Sequence, residues 1–550
     1  MGKTGTKWKD RDRVEKLLIV GAAVLALLLC VFLALAARLL LSGGERPSQE
    51  APVASPAPGR QTLSTPEDRL PAALAIGKEP PAAVFWDESG KQLSLKDMKT
   101  EGSSGLWLVF WASWCPDCTE QFQIIADMKR LAEDWRVDLV LVDRLNPAKE
   151  SREKAREKLD VMGEAVSCVY DENEECYKAW GMREIPSAVM LDSGGAVREY
   201  YAGTMTKGQC AGMLRRFAQG RASAGLAYIE RRFMNSQGGV ITGTDLKASS
   251  PAGDDVLSES QGLIMLCALE MDDRALFDRA WTYTREHLWA DGLTAWYAGK
   301  AGKAGVNALL DDLRLWSALD GAARQWDASY GQYAGEISEA ISKKCVNSEE
   351  KFVDYVELST GRQAATATLC YLDVKTLEDM YQQSSALKAS LAAAWEILRN
   401  GRISDAFPLY YSQWDYNRRT YSQADLNTAE ALYTLWNLSR AGELPEDTLN
   451  WLREKVEAGS LAARYRVDGT AVPGCEYHST AVYGLAALIA REEGDQALFE
   501  LSLRRMERNC VLDESDSRYG AYCLKDATVH AFDQLIPLLV NAPLGERTEP

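Results

Sequence analysis

The feature that most constrains the fold of this chain is a pair of cysteines, Cys115 and Cys118, placed directly after an apolar run. Residues 106–111 read Leu-Trp-Leu-Val-Phe-Trp, a run typical of a buried strand, and residues 119–131 are amphipathic with a helical period. A Cys-x-x-Cys at this junction puts Cys115 at a helix N-terminus, where the helix dipole and free amides favour a thiolate. Cys118, one turn later, is then placed to resolve a mixed disulfide.

Further apolar runs at residues 137–142 and 187–191 alternate with helical segments, which predicts an α/β sandwich over residues 76–220. Two other readings of the cysteine pair are open. One is half of a zinc site, but a second Cys-x-x-Cys is absent from the sequence. The other is a structural disulfide, which would be unusual across so small a loop.

The run Trp111-Ala-Ser-Trp-Cys-Pro-Asp-Cys118 resembles the membrane-tethered, thioredoxin-like family typified by TlpA and ResA, as does the later Ile-Pro-Ser at residues 185–187. The resemblance implies a thiol–disulfide oxidoreductase domain in which Pro186 is cis and packs against the redox pair. It also implies that Trp114 supports the redox site and that a membrane-embedded thiol donor supplies electrons. The direction of electron flow cannot be read from the Pro-Asp dipeptide between the cysteines.

From residue 221 to about 545 the pattern is mostly helical, with short breaks at Gly, Asp and Pro and no fixed repeat. Near its start, Glu259 comes just before an apolar, helix-periodic run that begins at Leu263. A carboxyl group at a helix start beside an apolar wall can have its pKa tuned for proton donation. The alternative is that Ser258 and Glu259 only cap the helix.

The run Ser258-Glu-Ser-Gln-Gly-Leu-Ile-Met-Leu266, followed by Phe-Asp-Arg-Ala-Trp at 277–281, resembles the opening signature of glycoside hydrolase family 8. The helical pattern predicts an all-α closed toroid without strands, and the resemblance implies an (α/α)6 barrel with a cleft at one end of its inner helices. It also implies that Glu259 is the general acid of an inverting enzyme. In such enzymes the acid and the base stand roughly 6.5–9.5 Å apart to leave room for water.

The segment Asn307-Ala-Leu-Leu-Asp-Asp-Leu-Arg314 departs from the usual family 8 pattern, because Leu310 replaces the first of two aspartates while Asp312 keeps the second. This form resembles a divergent, YdaJ-like branch associated with bacterial exopolysaccharides. It makes Asp312 a candidate substrate-positioning residue. The alternative is that Asp312 and Arg314 form surface ion pairs on a helix.

The segment Tyr411-Ser-Gln-Trp-Asp-Tyr-Asn-Arg418 parallels the family's Tyr-Asp-Ala-x-Arg, whose aspartate is the general base. The resemblance makes Asp415 the candidate base. Arg418, Trp414 and Tyr411 are candidate substrate-binding residues. The alternative is an aromatic loop with one exposed acid. The nearby Asp425 is predicted to cap the following helix rather than to act in catalysis.

The N-terminal region predicts a membrane anchor. Residues 17–37 are uncharged and long enough to cross a bilayer, and six basic residues precede them, which places residues 1–16 in the cytoplasm. We assign the anchor to residues 17–41 and a Pro/Ala-rich flexible linker to residues 42–75. A cleaved signal peptide is the alternative. Both domains would then lie outside the cell membrane, where disulfides persist. Further bridges are conceivable for the pairs Cys168–Cys176, Cys345–Cys370 and Cys510–Cys523.

The expected protein is thus multidomain: a transmembrane helix, a thioredoxin-like α/β sandwich and an (α/α)6 toroid acting on a polysaccharide. No cofactor and no metal are expected, since the three histidines lie far apart, and a net charge of −17 argues against nucleic acid. The alternative function is a thiol–disulfide oxidoreductase whose toroid has degenerated into a non-catalytic glycan-binding platform.

Overall fold

The computed structural model of the protein describes residues 71, 73–160, 166–245, 253–381, 387–477, 479–523 and 528–544, which all fall in one unit of the chain, Ser64–Pro550. The predicted cytoplasmic tail (1–16), the anchor (17–41) and nearly all of the linker (42–75) lie outside the described residues. Within the described ranges, no helix has the length and apolar character needed to cross a bilayer.

The first domain is built on one seven-stranded sheet with the strand order β2-β1-β5-β4-β3-β6-β7, in which β3, β4 and β5 are parallel and the other pairings are antiparallel. Its elements in chain order are β1 Phe85–Trp86, β2 Gln92–Leu93, β3 Gly105–Trp111, α1 Pro116–Asp134, β4 Val137–Leu145, α2 Arg152–Asp160, β5 Ser167–Glu172, α3 Glu175–Ala179, β6 Ser187–Asp192, β7 Val197–Ala202 and α4 Lys207–Gln219.

Strand β3 explains why this sheet is covered on both faces. All seven of its residues are buried, and successive side chains point to opposite faces of a strand. Trp107, Val109 and Trp111 therefore pack with helix α1, while Leu108 and Phe110 enter a second core on the other face. The predicted thioredoxin-like sandwich is confirmed.

The second domain is mainly helical. Its helices are α5 Ser223–Arg232, α6 Ser258–Glu270, α7 Arg274–Tyr283, α8 Leu309–Gln325, α9 Tyr330–Lys344, α10 Val374–Tyr381, α11 Lys388–Asn400, α12 Thr428–Arg440, α13 Glu446–Glu457, α14 Thr480–Glu492, α15 Gln496–Glu507 and α16 Phe532–Asn541, with a π-helical turn at Thr284–Leu288 and 3-10 turns at Leu369–Tyr371 and Ala542–Leu544.

Six of these helices form an inner ring. Along the chain, α6 packs on α8, α8 on α10, α10 on α12, α12 on α14 and α14 on α16, and α16 returns to pack on α6. Two of the inner helices are buried nearly all round: ten of the thirteen residues of α12 are buried, as are eleven of the thirteen in α14. This is the ring of helical hairpins that the sequence predicts.

The expectation of a strand-free domain is wrong. Short strands join the loops of the ring: β8 Ile241–Asp245, β9 Gly253–Leu257, β10 Trp289–Ala290, β11 Leu293–Thr294, β12 Tyr297–Gly299, β13 Gly302–Lys303, β14 Thr366–Thr368, β15 Gln413–Asp415, β16 Thr420–Tyr421, β17 Leu426–Asn427, β18 Arg464–Tyr465 and β19 Thr528–His530. Most have two or three residues, too few to show a period of two in the sequence.

The two domains meet through a buried network of charges. Arg216 and Arg221 lie at and just after the end of α4, and each bonds both Glu199 on β7 and Glu507 at the end of α15. The Nη1 of Arg216 lies 2.6 Å from Glu507, and Arg216 is 2% exposed. Thr206, which caps α4, also donates to Asp513 at 2.7 Å. The network fixes the first domain against the ring.

Candidate functional site

The redox pair lies where the motif places it, at the start of helix α1. Cys115 is the N-cap residue, its Sγ accepts a hydrogen bond from the Cys118 amide at 3.2 Å, and Pro116 is the first helical residue. The missing N–H of a proline costs nothing at this position. The two cysteines form a disulfide and both are buried. A thiolate formed on reduction would keep the Cys118 amide as a donor.

The surroundings of the disulfide agree with the resemblance. The Ile185–Pro186 peptide bond is cis, and the Ile185 carbonyl oxygen lies 3.7 Å from the Cys115 Sγ. Trp114 is 38% exposed, and the cationic groups of Arg144 and Lys149 lie 5.8 Å and 4.8 Å from its ring centroid. An exposed aromatic ring with two cations therefore borders the redox pair.

A buried carboxyl that the sequence analysis did not single out lies on the cysteine side of the sheet. Asp143 continues the alternation of Leu139 and Leu141, whose side chains share a core with both cysteines, and it is paired in register with Trp111. Its side chain is fully buried without a hydrogen-bond partner among the described residues. Burial, with the nearby Glu150, raises the pKa of Asp143 to about 8. The signal was an acid directly after the apolar residues 139–142 of β4, in phase with Leu139 and Leu141.

The other cysteines suggested above to form bridges are free thiols in the described part of the chain. Cys168 packs in the core on one face of the first sheet and Cys176 in the core on the opposite face, so their thiols point apart. Cys510 is paired in register with Tyr522, which turns the next residue, Cys523, to the other side of the strand pair. The suggested bridges between these pairs, and between Cys345 and Cys370, are absent.

In the ring, Glu259 occupies the first turn of α6, and the helix begins at Ser258, earlier than the apolar run alone indicates. Its side chain is 32% exposed, so it reaches solvent while protein surrounds most of it. Burial raises the pKa of Glu259 to about 7, the Arg314 guanidinium opposes this rise, and the carboxyls of Asp311 and Glu430 add to it. The carboxyl is therefore poised between its two protonation states near neutral pH.

Arg314, for which a surface ion pair was the alternative, is 4% exposed and faces the inside of the ring. Its Nη1 donates to Asp311 Oδ1 at 2.8 Å and lies 3.6 Å from Glu259 Oε2, and its Nε donates to the Tyr433 hydroxyl at 2.7 Å. Three inner helices, α6, α8 and α12, thus meet at one guanidinium.

The structure separates the roles of the adjacent aspartates of α8. Asp311 points to α6 and accepts a 2.6 Å hydrogen bond from Ser258 Oγ, directly beside Glu259. Asp312 is 0% exposed and accepts from the Thr294 amide, the Thr294 hydroxyl and the Asn307 amide group at 2.7–2.9 Å. Because Asp312 is sealed and its oxygens are occupied, its placement speaks against the predicted contact with substrate.

Asp415, the predicted base, lies at the end of β15 in a hairpin. Its Oδ1 accepts from the amides of Asn417 and Arg418 at 2.9 Å, and the Arg418 side chain, 81% exposed, lies 3.7 Å from Oδ2. Trp414 contacts Tyr421, which stacks on Tyr411 at 5.2 Å between ring centroids. The four predicted residues of this segment are therefore brought together. Among the described residues, no hydrogen bond or ion pair connects Asp415 to Glu259.

Glu430 is a carboxyl of the ring that sequence reasoning missed. It lies in the first turn of α12, it lines a small pocket with Tyr410 and Tyr411, and its charge acts on Glu259. Desolvation raises the pKa of Glu430, and Arg464 opposes the rise. The helix is capped by Asn427, whose side chain accepts from the Ala429 amide, so the predicted capping role of Asp425 is wrong.

The two domains match two known families. The Redoxin family model matches residues 75–214, and the family model for glycosyl hydrolases family 8 matches residues 210–361. The chain is a fusion of a redoxin domain, of the thiol–disulfide oxidoreductase type, and a family 8 glycosyl hydrolase domain.

Particular relatives follow the same division. YdaJ of Bacillus subtilis (strain 168) is 28% identical over 324 residues, which cover 58% of this chain and 85% of that protein. The thiol-disulfide oxidoreductase ResA of Bacillus anthracis is 27% identical over 143 residues, which cover 26% of this chain and 79% of ResA. A solved structure described as a novel alpha-amylase from Clostridium perfringens aligns with a TM-score of 0.55 and 26% identity over 59% of this chain and 97% of that one.

Proposed function

We propose that the helical domain hydrolyses O-glycosidic bonds with Glu259 as the proton donor. The observation that supports this role is the setting of Glu259 in the first turn of α6. Its carboxyl is partly exposed to solvent, and burial raises its pKa to about 7. A general acid works best when its pKa lies near the operating pH, and positioned acids of this kind contribute about 10²–10⁴-fold to rate.

The reaction we propose is a single inverting displacement. The proton of Glu259 moves to the glycosidic oxygen as the C–O bond breaks and its electron pair stays on that oxygen. A water molecule attacks the anomeric carbon from the other face and gives a proton to a second carboxylate. The resemblance assigns this base to Asp415. Glu430 is the second candidate, because its charge reaches Glu259.

We propose a bacterial exopolysaccharide as the substrate, on the basis of the YdaJ-like segment that includes Leu310 and Asp312. An α-glucan is the second candidate, because a solved structure that aligns with a TM-score of 0.55 is described as an alpha-amylase. The aromatic residues Tyr411 and Trp414 of the β15 hairpin supply faces on which sugar rings can stack.

For the redox domain we propose thiol–disulfide exchange with another protein. The Cys115 thiolate attacks a partner disulfide and forms a mixed disulfide, which releases one partner thiolate. Cys118 then attacks the Cys115 sulfur, which releases the second thiolate and passes two electrons to the partner. A membrane-embedded thiol donor would return Cys115 and Cys118 to the reduced state. Residues 17–41 would anchor both domains on the outer side of the cell membrane.

The test measures release of reducing sugar by the full chain from exopolysaccharide preparations and from starch. The wild type should cleave one of them, and Glu259→Gln should lose at least about 100-fold in kcat while its circular dichroism and disulfide exchange stay unchanged. Asp415→Asn and Glu430→Gln then identify the base, because only loss of the true base should reduce kcat to a similar extent. Cleavage at the wild-type rate by Glu259→Gln would refute the assignment of the acid. An inert wild type that still exchanges disulfides would favour the degenerate platform.

A further inference from the structure

The guanidinium of Arg314 lies next to the proposed acid, so the site contains a buried cation as well as carboxyl groups. It lies between two acids but contacts them unequally: 2.8 Å from Asp311 Oδ1 and 3.6 Å from Glu259 Oε2. Asp311 and Arg314 side chains are 10% and 4% exposed, whereas Glu259 is 32% exposed. The arrangement is a buried ion pair with a third, reachable acid at its edge.

We infer that Asp311, Arg314 and Tyr433 form a positioning clamp that keeps Glu259 protonated before the reaction and stabilises its carboxylate after the proton has left. This inference rests on the proposed role of Glu259 as acid. None of the three clamp residues needs to touch the sugar. They act through Glu259.

The clamp depends on how firmly Arg314 is held. Its Nε donates to the Tyr433 hydroxyl at 2.7 Å and its guanidinium carbon lies 4.5 Å from the Tyr433 ring centroid, so α12 fixes one side. Asp311 fixes the other side and is itself held by Ser258 Oγ at 2.6 Å. A charge-assisted hydrogen bond is strongest near 2.7–2.9 Å. Arg314 therefore stabilises the carboxylate of Asp311 more than it stabilises a carboxylate on Glu259.

Asp311 therefore decides whether Glu259 carries a proton. An unopposed arginine at 3.6 Å in a dry site would favour the carboxylate of Glu259 and remove the proton that catalysis needs. Burial raises the pKa of Asp311 too, but Arg314 at 2.8 Å and the Ser258 hydroxyl at 2.6 Å oppose that rise. Glu259 has the same guanidinium only at 3.6 Å, so Asp311 is the acid of the two that stays ionised. With Asp311 ionised, the cluster of Glu259, Asp311 and Arg314 carries no net charge while Glu259 is protonated. Once the proton has passed to the leaving oxygen, the new carboxylate gains Arg314 at close range without any large movement.

Other ionisable groups face this cluster from the packed elements. Glu430 and Tyr433 come from α12, and the 3-10 turn after β14 supplies Cys370 and Tyr371. Burial raises the pKa of the Cys370 thiol and of the Tyr371 hydroxyl, so both stay neutral near pH 7. Glu430 is the one remaining acid of the set, and its charge adds to the protonation of Glu259.

The experiment removes the competitor of Glu259 for Arg314. In Asp311→Asn the arginine loses its ionic partner and can turn to Glu259, so the ionisation midpoint of Glu259 should fall by at least about one pH unit. The midpoint is measured in the full chain without any glycan. The unfolding free energy is followed from pH 4 to 9 for each background and for the same background carrying Glu259→Gln, and the pH dependence of the difference reports Glu259.

The matched control is Asp373→Asn, which breaks another Asp–Arg pair of the ring, in which Asp373 is buried and Arg440 is partly exposed. Arg440 Nη1 lies 2.7 Å from Asp373 Oδ2 at the far end of α12 from Glu430. This variant should lose stability to a similar degree and leave the midpoint of Glu259 where it is in the wild type. A clamp that is only structural would give the same midpoint in both variants.

Tyr433→Phe keeps the inference testable if Asp311→Asn does not fold. The loss of its hydroxyl frees one side of Arg314 and should lower the midpoint in the same direction by a smaller amount. Wild-type midpoints in both Asp311→Asn and Tyr433→Phe would overturn the clamp. With an active substrate, the alkaline limb of the kcat/KM profile should move with the midpoint. If a variant cleaves the substrate with its alkaline limb at the wild-type pH, the clamp is rejected and the proposed function is kept. If the midpoint of Glu259 moves but the wild type cleaves no substrate, the clamp is kept and the proposed function is rejected.

Discussion

The redox site and the proposed glycan site both have their reactive group at the start of a helix, but the two groups need opposite charge states there. At α1 the helix start favours negative charge on Cys115, which is what a nucleophilic thiol needs. At α6 the same feature favours a carboxylate, yet the acid role that we propose for Glu259 requires a proton. A helix N-terminus is worth about 0.3–1 kcal/mol, less than one pKa unit. The pKa of Glu259 nevertheless rises from 4.5 to about 7.

The comparison shows that the groups around a helix start, more than the helix dipole, determine whether an ionisable side chain there carries a proton. Around Cys115 the determining groups are close in sequence, apart from the cis proline. Around Glu259 they come from three helices, and burial together with the occupied Arg314 outweighs the dipole. One site is a local motif, and the other is assembled by the closure of the ring.

The largest expected effects test whether the two sites work independently. Cys115→Ser should abolish disulfide exchange, measured by insulin reduction, because without the Cys115 thiolate the mixed disulfide cannot form. Its reducing-sugar release should equal that of the wild type. The control Cys168→Ser removes a free thiol from the same domain and should retain exchange. Loss of glycan cleavage in Cys115→Ser would show that the sites are coupled and would break the comparison.

A smaller effect is expected for the buried ion pairs that connect the two domains. Glu507→Gln leaves Arg216 and Arg221 with one carboxylate instead of two in a buried network. The unfolding free energy should fall by about 3–5 kcal/mol, as for other buried pairs that lose one partner. The control Glu514→Gln breaks a more exposed pair with Arg215 and should cost about 1 kcal/mol or less. Denaturant unfolding of both variants at pH 7 measures the difference.

The pH dependence of this network can be given a sign. Arg216 and Arg221 outweigh burial and hold the pKa of Glu507 at about 2, below its ordinary 4.5. A depressed pKa gives stability that is present above pH 4.5 and is lost as the pH falls towards 2. The stability difference between the wild type and Glu507→Gln should therefore shrink across that window. A constant difference would contradict the ion-pair account.

The smallest predicted effect concerns the stability of the redox domain and its buried carboxyl, Asp143. Burial raises the pKa of Asp143 from 3.8 to about 8, so the folded state binds a proton more tightly than the unfolded state and stability falls as the pH rises through this window. Asp143→Asn should be close to the wild type at pH 4 and more stable at pH 9, by roughly 2–3 kcal/mol once relaxation of the site is allowed for. Thermal unfolding at the two pH values measures the change.

The control for this prediction is Asp117→Asn, since Asp117 is an exposed acid in the first turn of α1. It should change stability by less than about 1 kcal/mol at both pH values. Equal stability changes at pH 4 and pH 9 in Asp143→Asn would contradict the view that this carboxyl is buried without a partner.

The sequence could predict what depends on neighbours along the chain. The strand before Cys115 and the helix after it follow from one apolar run and one amphipathic period, and the start of α6 near Glu259 follows in the same way. It could not predict which of two adjacent aspartates would face α6. Neighbouring residues on a helix point about 100° apart, so only the rotation of α8 in the ring gives Asp311 the contact with Ser258 and leaves Asp312 sealed.

The sequence also could not predict which charged side chains would be buried. From the sequence, Arg314 is expected on the surface of a helix. In the structure α6 and α12 cover it, and Tyr433 of α12 supplies a hydroxyl that accepts from Arg314. The pattern of charges along one helix does not contain this information. The short strands were missed for a related reason: β14 and β15 are defined by their pairing and not by a period of their own. Asn427 became the helix cap because α12 begins three residues after Asp425.

The most direct test is the ionisation of Glu259 itself. We expect the infrared difference spectrum between the wild type and Glu259→Gln to show a protonated carboxyl at pH 5 that is replaced by carboxylate bands with a midpoint near pH 7, the value to which burial raises its pKa. A midpoint at or below pH 4.5 would mean that Arg314 already holds Glu259 as a carboxylate, and would contradict its role as the proton donor.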